Sequence, residues 1–365
     1  MTLSSPATGY ARLTPWQARG VLAAVAGLTG FCLAALPAPP PLCNLRQEGS
    51  QTGDVALYRA EIARIHAGEG YYQAAAQELV ARGYPTRSVF NWRTPLPMWL
   101  LGKMPAVVLG QLLLGGLALA VLLLAFEAAS REEPNIYRLA APLVVLLIGA
   151  LLPCLLGDLY VMPVLWAGTL IALSICAYGL NLPALGVAAG LAAAFFRDLA
   201  LPYAVLAAGL AWHQRRRREL LVWLAGLAAW AVFFGLHCWQ VGRVITPDAV
   251  PHRHGWICFG GAPFVLATVQ ANACLLLVPT WVTVLYFVGS MVGLGGWDTP
   301  LGRRAALTLC LFVAAFSVVG QDFNRYWGMM IAPVLCFGVV RAPAALWHLC
   351  RAAEIPCLGW HARSA

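Results

Sequence analysis

The sequence predicts an all-α, polytopic transmembrane bundle of about ten spans, with amphipathic interfacial helices in a large first extracytoplasmic loop. Three observations carry that expectation. Of the 365 residues, 61% are hydrophobic and only 11% are charged, whereas a soluble domain covers its surface with about 25% charged residues. Apolar stretches recur along nearly the whole chain and leave no room for a separate soluble domain, so residues 1–365 read as a single membrane domain. Arginine clusters stand at the ends of those stretches, where they orient a membrane protein. The net charge of +9 is assigned to that role, and no nucleic-acid partner is expected.

Helix is expected throughout, because backbone exposed to lipid must satisfy its own hydrogen bonds. Arg12 and Arg19 precede the first apolar run, 20–38. The run resembles a signal peptide, but no small-x-small cleavage site follows it and more spans come later, so an uncleaved first span is expected. Further spans are expected at 105–128, 139–156, 160–180, 183–196, 199–212, 220–238, 263–294 (kinked at Pro279), 305–320 and 326–340. Polar loops cover 39–93 and 239–261. With a cytoplasmic N-terminus, Arg131, Arg138, Arg215 to Arg218, Arg303, Arg304, Arg341 and Arg351 all fall on the cytoplasmic side, as the positive-inside rule requires. Both termini are thereby placed in the cytoplasm, and the lipid bilayer is the first partner.

The eleven cysteines include no CxxC pair. Cys154, Cys176, Cys274, Cys310 and Cys336 lie inside apolar segments and read as small packing residues. Cys238 and Cys258 flank the second outer loop and could pair across it.

The first outer loop is patterned. From Asp54, the residues Val55, Tyr58, Ile62 and Ile65 recur at spacings of three and four, the stripe of an amphipathic helix. Arg59, Glu61 and Arg64 lie off that stripe. Gly68 and Gly70 break the helix, and Tyr71-Tyr72 opens a second one running to about Arg82. Both read as helices lying along the interface with aromatic anchors. Asp54 has two compatible readings: the N-cap of the first of these helices, and a base facing the bilayer surface. Arg197-Asp198 and residues 321–325 put charges at the tips of short helices. Ionisable groups at that depth are costly and mark either a site or an ion pair, here Arg197 with Asp198 and Arg325 with Asp322. His252 and His254 have metal-ligand spacing but lack an acidic or cysteine partner, so a solvated or acceptor-binding loop is the better reading. His237 reads as a packed histidine, and Gly293, Gly295 and Gly296 as a turn. No Walker-type loop, GxSxG or HExxH occurs, which disfavours nucleotide hydrolysis and serine- or zinc-dependent hydrolysis.

A long first outer loop with an acidic residue just past the first span resembles the GT-C superfamily, integral-membrane glycosyltransferases that use polyprenyl-phosphate sugars. The segments Gly53-Asp54-Val55-Ala56-Leu57-Tyr58, Gly68-Glu69-Gly70-Tyr71-Tyr72, Gly83-Tyr84-Pro85, Asn91-Trp92-Arg93-Thr94-Pro95 and Gln321-Asp322-Phe323-Asn324-Arg325-Tyr326-Trp327-Gly328 are similar to a bacterial group assigned to that superfamily and associated with cell-surface glycopolymer formation. The resemblance implies that Asp54 is the general base toward an acceptor hydroxyl. The leaving phosphate needs positive charge, which Arg93, Lys103, Arg197 and Arg325 are placed to supply, Arg through its planar fork of donors. Tyr58, Tyr71, Tyr72, Asp198, Asp322 and Asn324 are expected around the acceptor or sugar. No second carboxylate adjoins Asp54, so the acidic metal pair of some superfamily members is not expected and no cofactor is assigned. The expected activity is inverting transfer of a sugar from a polyprenyl-phosphate donor to a glycan, glycolipid or protein acceptor at the outer face of a bacterial cytoplasmic membrane. The alternatives are a transporter or flippase of lipid-linked sugar, against which no internal repeat is found, and a noncatalytic envelope scaffold.

Overall fold

The computed structural model describes residues 8–36, 53–251 and 255–355. The proline run 37–41, the first part of the first polar loop, and His252 and His254 lie outside the described residues. The described residues form an all-helical structure. In chain order, the α-helices are α1 (Pro15–Ala34), α2 (Asp54–His66), α3 (Tyr71–Ala81), α4 (Pro95–Gly102), α5 (Val107–Glu132), α6 (Ala140–Leu151) and α7 (Pro163–Gly179). They continue as α8 (Pro183–Phe196), α9 (Leu201–His213), α10 (Arg217–Val244), α11 (Gly261–Val269), α12 (Trp281–Gly295), α13 (Pro300–Val318) and α14 (Ala332–Ala352).

Five of these, α1, α5, α10, α13 and α14, are long and apolar enough to cross a membrane. That finding corrects the expected architecture of about ten spans. The error has a physical origin. Apolar composition continues through the chain, but proline divides it into short helices: Pro163, Pro183 and Pro202 each stand in the first turn of a new one. A crossing needs about 20 helical residues, and 14 residues reach only about 21 Å. The expected kinked span over 263–294 is three separate elements: α11, a 3-10 turn Ala273–Leu277, and α12 beyond Pro279. The last span begins later than expected, at Ala332, because Asp322–Met330 is a 3-10 helix.

Local signals fix the ends. Thr14 and Gln17 make a capping box at the start of α1, with Pro15 in the first turn, a position where its missing N–H costs nothing. Thr299 accepts a bond from Gly302 N (3.2 Å) at the start of α13. Of the long helices, α14 is the most enclosed, with 61% of its apolar window buried, whereas α10 has 11% and turns most of its surface outward. The short helix α7 is buried along nearly its whole length. Close approach makes glycine necessary in α7 and in the 3-10 helix Asp322–Met330: a Cβ on Gly168 would strike the Met329 carbonyl, and one on Gly328 the Thr268 carbonyl of α11.

The bundle has two distinct ends. Gly9 N donates to Gly296 O (2.9 Å), Arg19 Nε donates to Ala353 O (3.0 Å), and Trp297 Nε1 donates to Glu132 (2.5 Å). These contacts collect the start of α1 and the ends of α5, α12 and α14. At the other end lie α2, α3 and α4, the C-terminus of α8, the far end of α10 and the 3-10 helix Asp322–Met330. Cys238 and Cys258 are free thiols, so the disulfide across the second polar loop is not formed.

Candidate functional site

The second end is organised around Asp54. Gly53 precedes α2 at φ +92°, in the left-handed region that glycine enters without penalty. Asp54 is therefore the first residue of α2, and its side chain makes no cap; the capping reading is corrected. Its carboxylate instead accepts hydrogen bonds from the hydroxyls of Tyr326 (2.7 Å), Tyr84 (3.0 Å) and Tyr58 (3.4 Å). Tyr58 stands one turn along α2, on the buried face with Ile62 and Ile65. Fully burying each such apolar side chain contributes about 1.5–3 kcal/mol.

Arg93 completes the cluster. Its Nη2 lies 3.7 Å from Asp54 Oδ2. Its Nε donates to the Tyr58 hydroxyl (2.6 Å), Nη1 to Phe90 O (3.2 Å) and Nη2 to the Tyr326 hydroxyl (3.5 Å). A phenol donates one hydrogen bond and accepts others, so Tyr58 and Tyr326 both pass Asp54 a proton donor while receiving one from Arg93. The backbone that carries Arg93 is held on both sides. Asn91 Nδ2 donates to Pro85 O (2.7 Å), Trp92 Nε1 donates to Thr86 O (2.9 Å), and the Tyr71 hydroxyl donates to Arg93 O. Pro95 then opens α4.

Burial pushes the phenols of Tyr58, Tyr84 and Tyr326 above their ordinary range, so each is a neutral donor at pH 7. Burial pulls the Arg93 guanidinium down, but Tyr58, Tyr326, Asp54 and Asp198 outweigh it and hold it well above its ordinary value. Arg93 is a permanent cation.

Arg197 ends α8 and pairs with Asp198 (3.4 Å). It is buried, its Nε has no hydrogen-bond partner among the described residues, and its charge acts on both Tyr58 and Tyr326. Asp198 in turn acts on Arg93. The other predicted residues are spread more widely. Lys103 is exposed beyond α4, and Asp322 is exposed at the start of its 3-10 helix. Among the described residues no ion pair joins Arg325 to Asp322. Asn324 is buried and accepts from Gln321 N (3.0 Å), a capping role. Tyr72 stacks edge-on with Tyr71 (5.0 Å) and shares a hydrogen bond with His237 Nδ1 (3.2 Å); burial pushes its phenol up to about 12.

Three participants escaped the sequence reading. Tyr84 and Tyr326 stand inside the segments quoted above, but neither was given a role, and Tyr326 fell at the start of an expected span. Glu61, placed off the apolar stripe, is buried in α2 at 2% exposure. Its neighbours Arg59 and Arg64 do point away, Arg59 to Asp158 and Arg64 to Glu78 (2.6 Å) and Glu69 (3.0 Å). Among the described residues no three His, Cys, Asp or Glu side chains gather as a metal site.

No protein-family model, curated protein or solved structure matches the chain. The GT-C resemblance therefore gains no support from relatives, and the finding of five long apolar helices overturns the ten-span architecture that carried it. The chain is an all-α membrane protein, and its described residues gather a carboxylate with three phenols and an arginine at one end of the bundle.

Proposed function

We propose that the chain transfers a sugar from a polyprenyl-phosphate donor to a hydroxyl acceptor, a glycan, glycolipid or protein, at the membrane surface. The observation that carries this reading is the contact of Asp54 with the permanent cation Arg93 and three neutral phenols in one cluster. Such a transfer asks for a base on one side of the sugar and positive charge on the leaving phosphate at the other. Asp54 would take the proton of the acceptor hydroxyl as its oxygen attacks the anomeric carbon. The bond from that carbon to the phosphate oxygen breaks, and its electron pair stays on the phosphate. Arg93 and Arg197 would hold that phosphate, the latter through an Nε that has no hydrogen-bond partner among the described residues. The hydroxyls of Tyr58, Tyr84 and Tyr326 fix the carboxylate in place.

The reading includes an orientation. Arg131, Arg303 and Arg351 stand at the end opposite Asp54, together with the start of α1 and the end of α14. By the positive-inside rule that end faces the cytoplasm of a bacterial cell, with both termini, and Asp54 faces outward. A transport reading draws on the short helices α8 and α9 meeting at Arg197-Asp198, since broken helices also line transporter sites.

Transfer of radiolabelled sugar from a panel of polyprenyl-phosphate donors in proteoliposomes tests the choice. Transfer by the wild type that collapses in folded Asp54→Asn supports the assignment. Movement of lipid-linked sugar across the bilayer with no transfer from any donor replaces it with transport.

A further inference from the structure

The helix that presents Asp54 carries a second carboxyl, Glu61, two turns further along. It is 2% exposed, and its Oε2 has no hydrogen-bond partner among the described residues. The charges that act on it come from Arg93 in the segment leading into α4, from Glu78 on α3 and Arg82 at its end, and from Asp54 on α2 itself, and it acts in turn on Tyr71. The Tyr71 hydroxyl donates to Arg93 O, and Tyr58, three residues before Glu61 in α2, accepts from Arg93 Nε. Helix α4 has no titratable side chain, and Asp158, on the 3-10 helix Gly157–Val161, pairs with Arg59 of α2. Glu78 is already paired with Arg64 (2.6 Å) and Arg82 (3.1 Å). Arg93 is different. Its bonds run to two phenols and a backbone carbonyl, and its one ionic partner, Asp54, lies at 3.7 Å.

Burial, with Asp54 and Glu78 adding to it, pushes Glu61 up to about 8 against the opposing pull of Arg93 and Arg82. The residue is thus a neutral acid at pH 7. A buried carboxylate without a partner is strongly unfavourable, so once it loses its proton it must draw on a cation.

We propose that Glu61 is a positioning residue for the Asp54 site: while protonated it leaves Arg93 free to serve Asp54 and a bound phosphate, and when ionised it draws the Arg93 guanidinium to itself and weakens phosphate binding. The proposal rests on the reading of Arg93 as a phosphate ligand. It adds a regulation of that site by alkaline pH.

The test is binding of polyprenyl phosphate, without sugar or acceptor, to the full chain in nanodiscs between pH 6.5 and 9.5, for the wild type and Glu61→Gln, with the carboxyl band followed by infrared spectroscopy. Wild-type affinity is expected to fall by roughly tenfold through the pH at which the infrared carboxyl band disappears, the worth of one charge-assisted hydrogen bond. Glu61→Gln is expected to hold its neutral-pH affinity across the range. If that variant does not fold, Glu61→Met supplies the same uncharged volume. A parallel decline in wild type and variant, or a carboxyl band that does not titrate in this window, overturns the proposal and leaves the phosphate reading intact. Failure of the wild type to bind polyprenyl phosphate at any pH overturns both.

Discussion

Each end of the bundle holds a carboxylate surrounded by aromatic and hydroxyl donors, and the two are built differently. Glu132, the last residue of α5, accepts from Trp297 Nε1 (2.5 Å) and Thr299 Oγ1 (2.7 Å), both in the turn that opens α13. Arg341 lies over the Trp297 ring at 5.4 Å rather than on the carboxylate. Two neighbouring residues of one turn thus tie that turn to α5, which is what a structural fastening needs. Asp54 draws its donors from α2, from the segment before α4 and from the 3-10 helix before α14, across as many as 272 positions of sequence. It also has a cation within reach, and its side chain keeps 21% of its surface open. A fastening can be closed and local. A site must assemble distant groups and leave one side accessible.

The largest expected difference between the two ends is in activity. Asp54→Asn should lower transfer by about 100- to 10,000-fold, the usual contribution of a positioned base, while Glu132→Gln should leave turnover within a few-fold of wild type. Equal losses in both variants would erase the distinction. Arg93→Lys comes next. A lysine keeps the charge but not the planar fork, so polyprenyl-phosphate affinity should drop by roughly ten- to a hundred-fold; an unchanged titration would remove Arg93 from the phosphate. Tyr326→Phe removes one hydroxyl from a charged acceptor and should cost about 1.5–3 kcal/mol, seen as a lower kcat/KM together with a lower midpoint in thermal unfolding. A stability loss with kinetics intact would demote the tyrosine to packing.

The last effect concerns pH and separates α2 from the rest of the molecule. Glu61 is held at about 8 from an ordinary value of 4.5. Between those values the unfolded chain has released the proton and the folded chain keeps it, so stability falls as pH rises across the window and levels off above it. Thermal midpoints of Glu61→Gln should lack that share of the decline. Superimposable pH curves for variant and wild type would show that Glu61 does not titrate in this range.

What was legible in the sequence follows from the range of the interactions. The spacing of Val55, Tyr58, Ile62 and Ile65 is a property of one helix, and α2 begins at Asp54 as the pattern requires. The meeting of Tyr84 and Tyr326 on Asp54 has no periodic trace, because it depends on how the 3-10 helix before α14 docks on α2. Glu61 was hidden for a related reason: its off-stripe position is buried by the packing of other elements on α2, which a single-helix projection does not contain. The number of spans was misread because composition records whether a stretch is apolar and not how far it runs before Pro163, Pro183 or Pro279 ends it.

One glycine of α7 and one of the 3-10 helix Asp322–Met330 carry a further consequence. Gly168 abuts Met329, and Gly328 lies two residues from Tyr326 against Thr268. Any side chain at either position must displace the backbone that delivers the Tyr326 hydroxyl to Asp54. A genetic screen scoring only loss of function would then recover alleles at Gly168 and Gly328 alongside those at Asp54 and Arg93. Their bearers would still insert protein into the membrane, and the map of inactivating alleles would reach from the surface down the inner wall of the bundle.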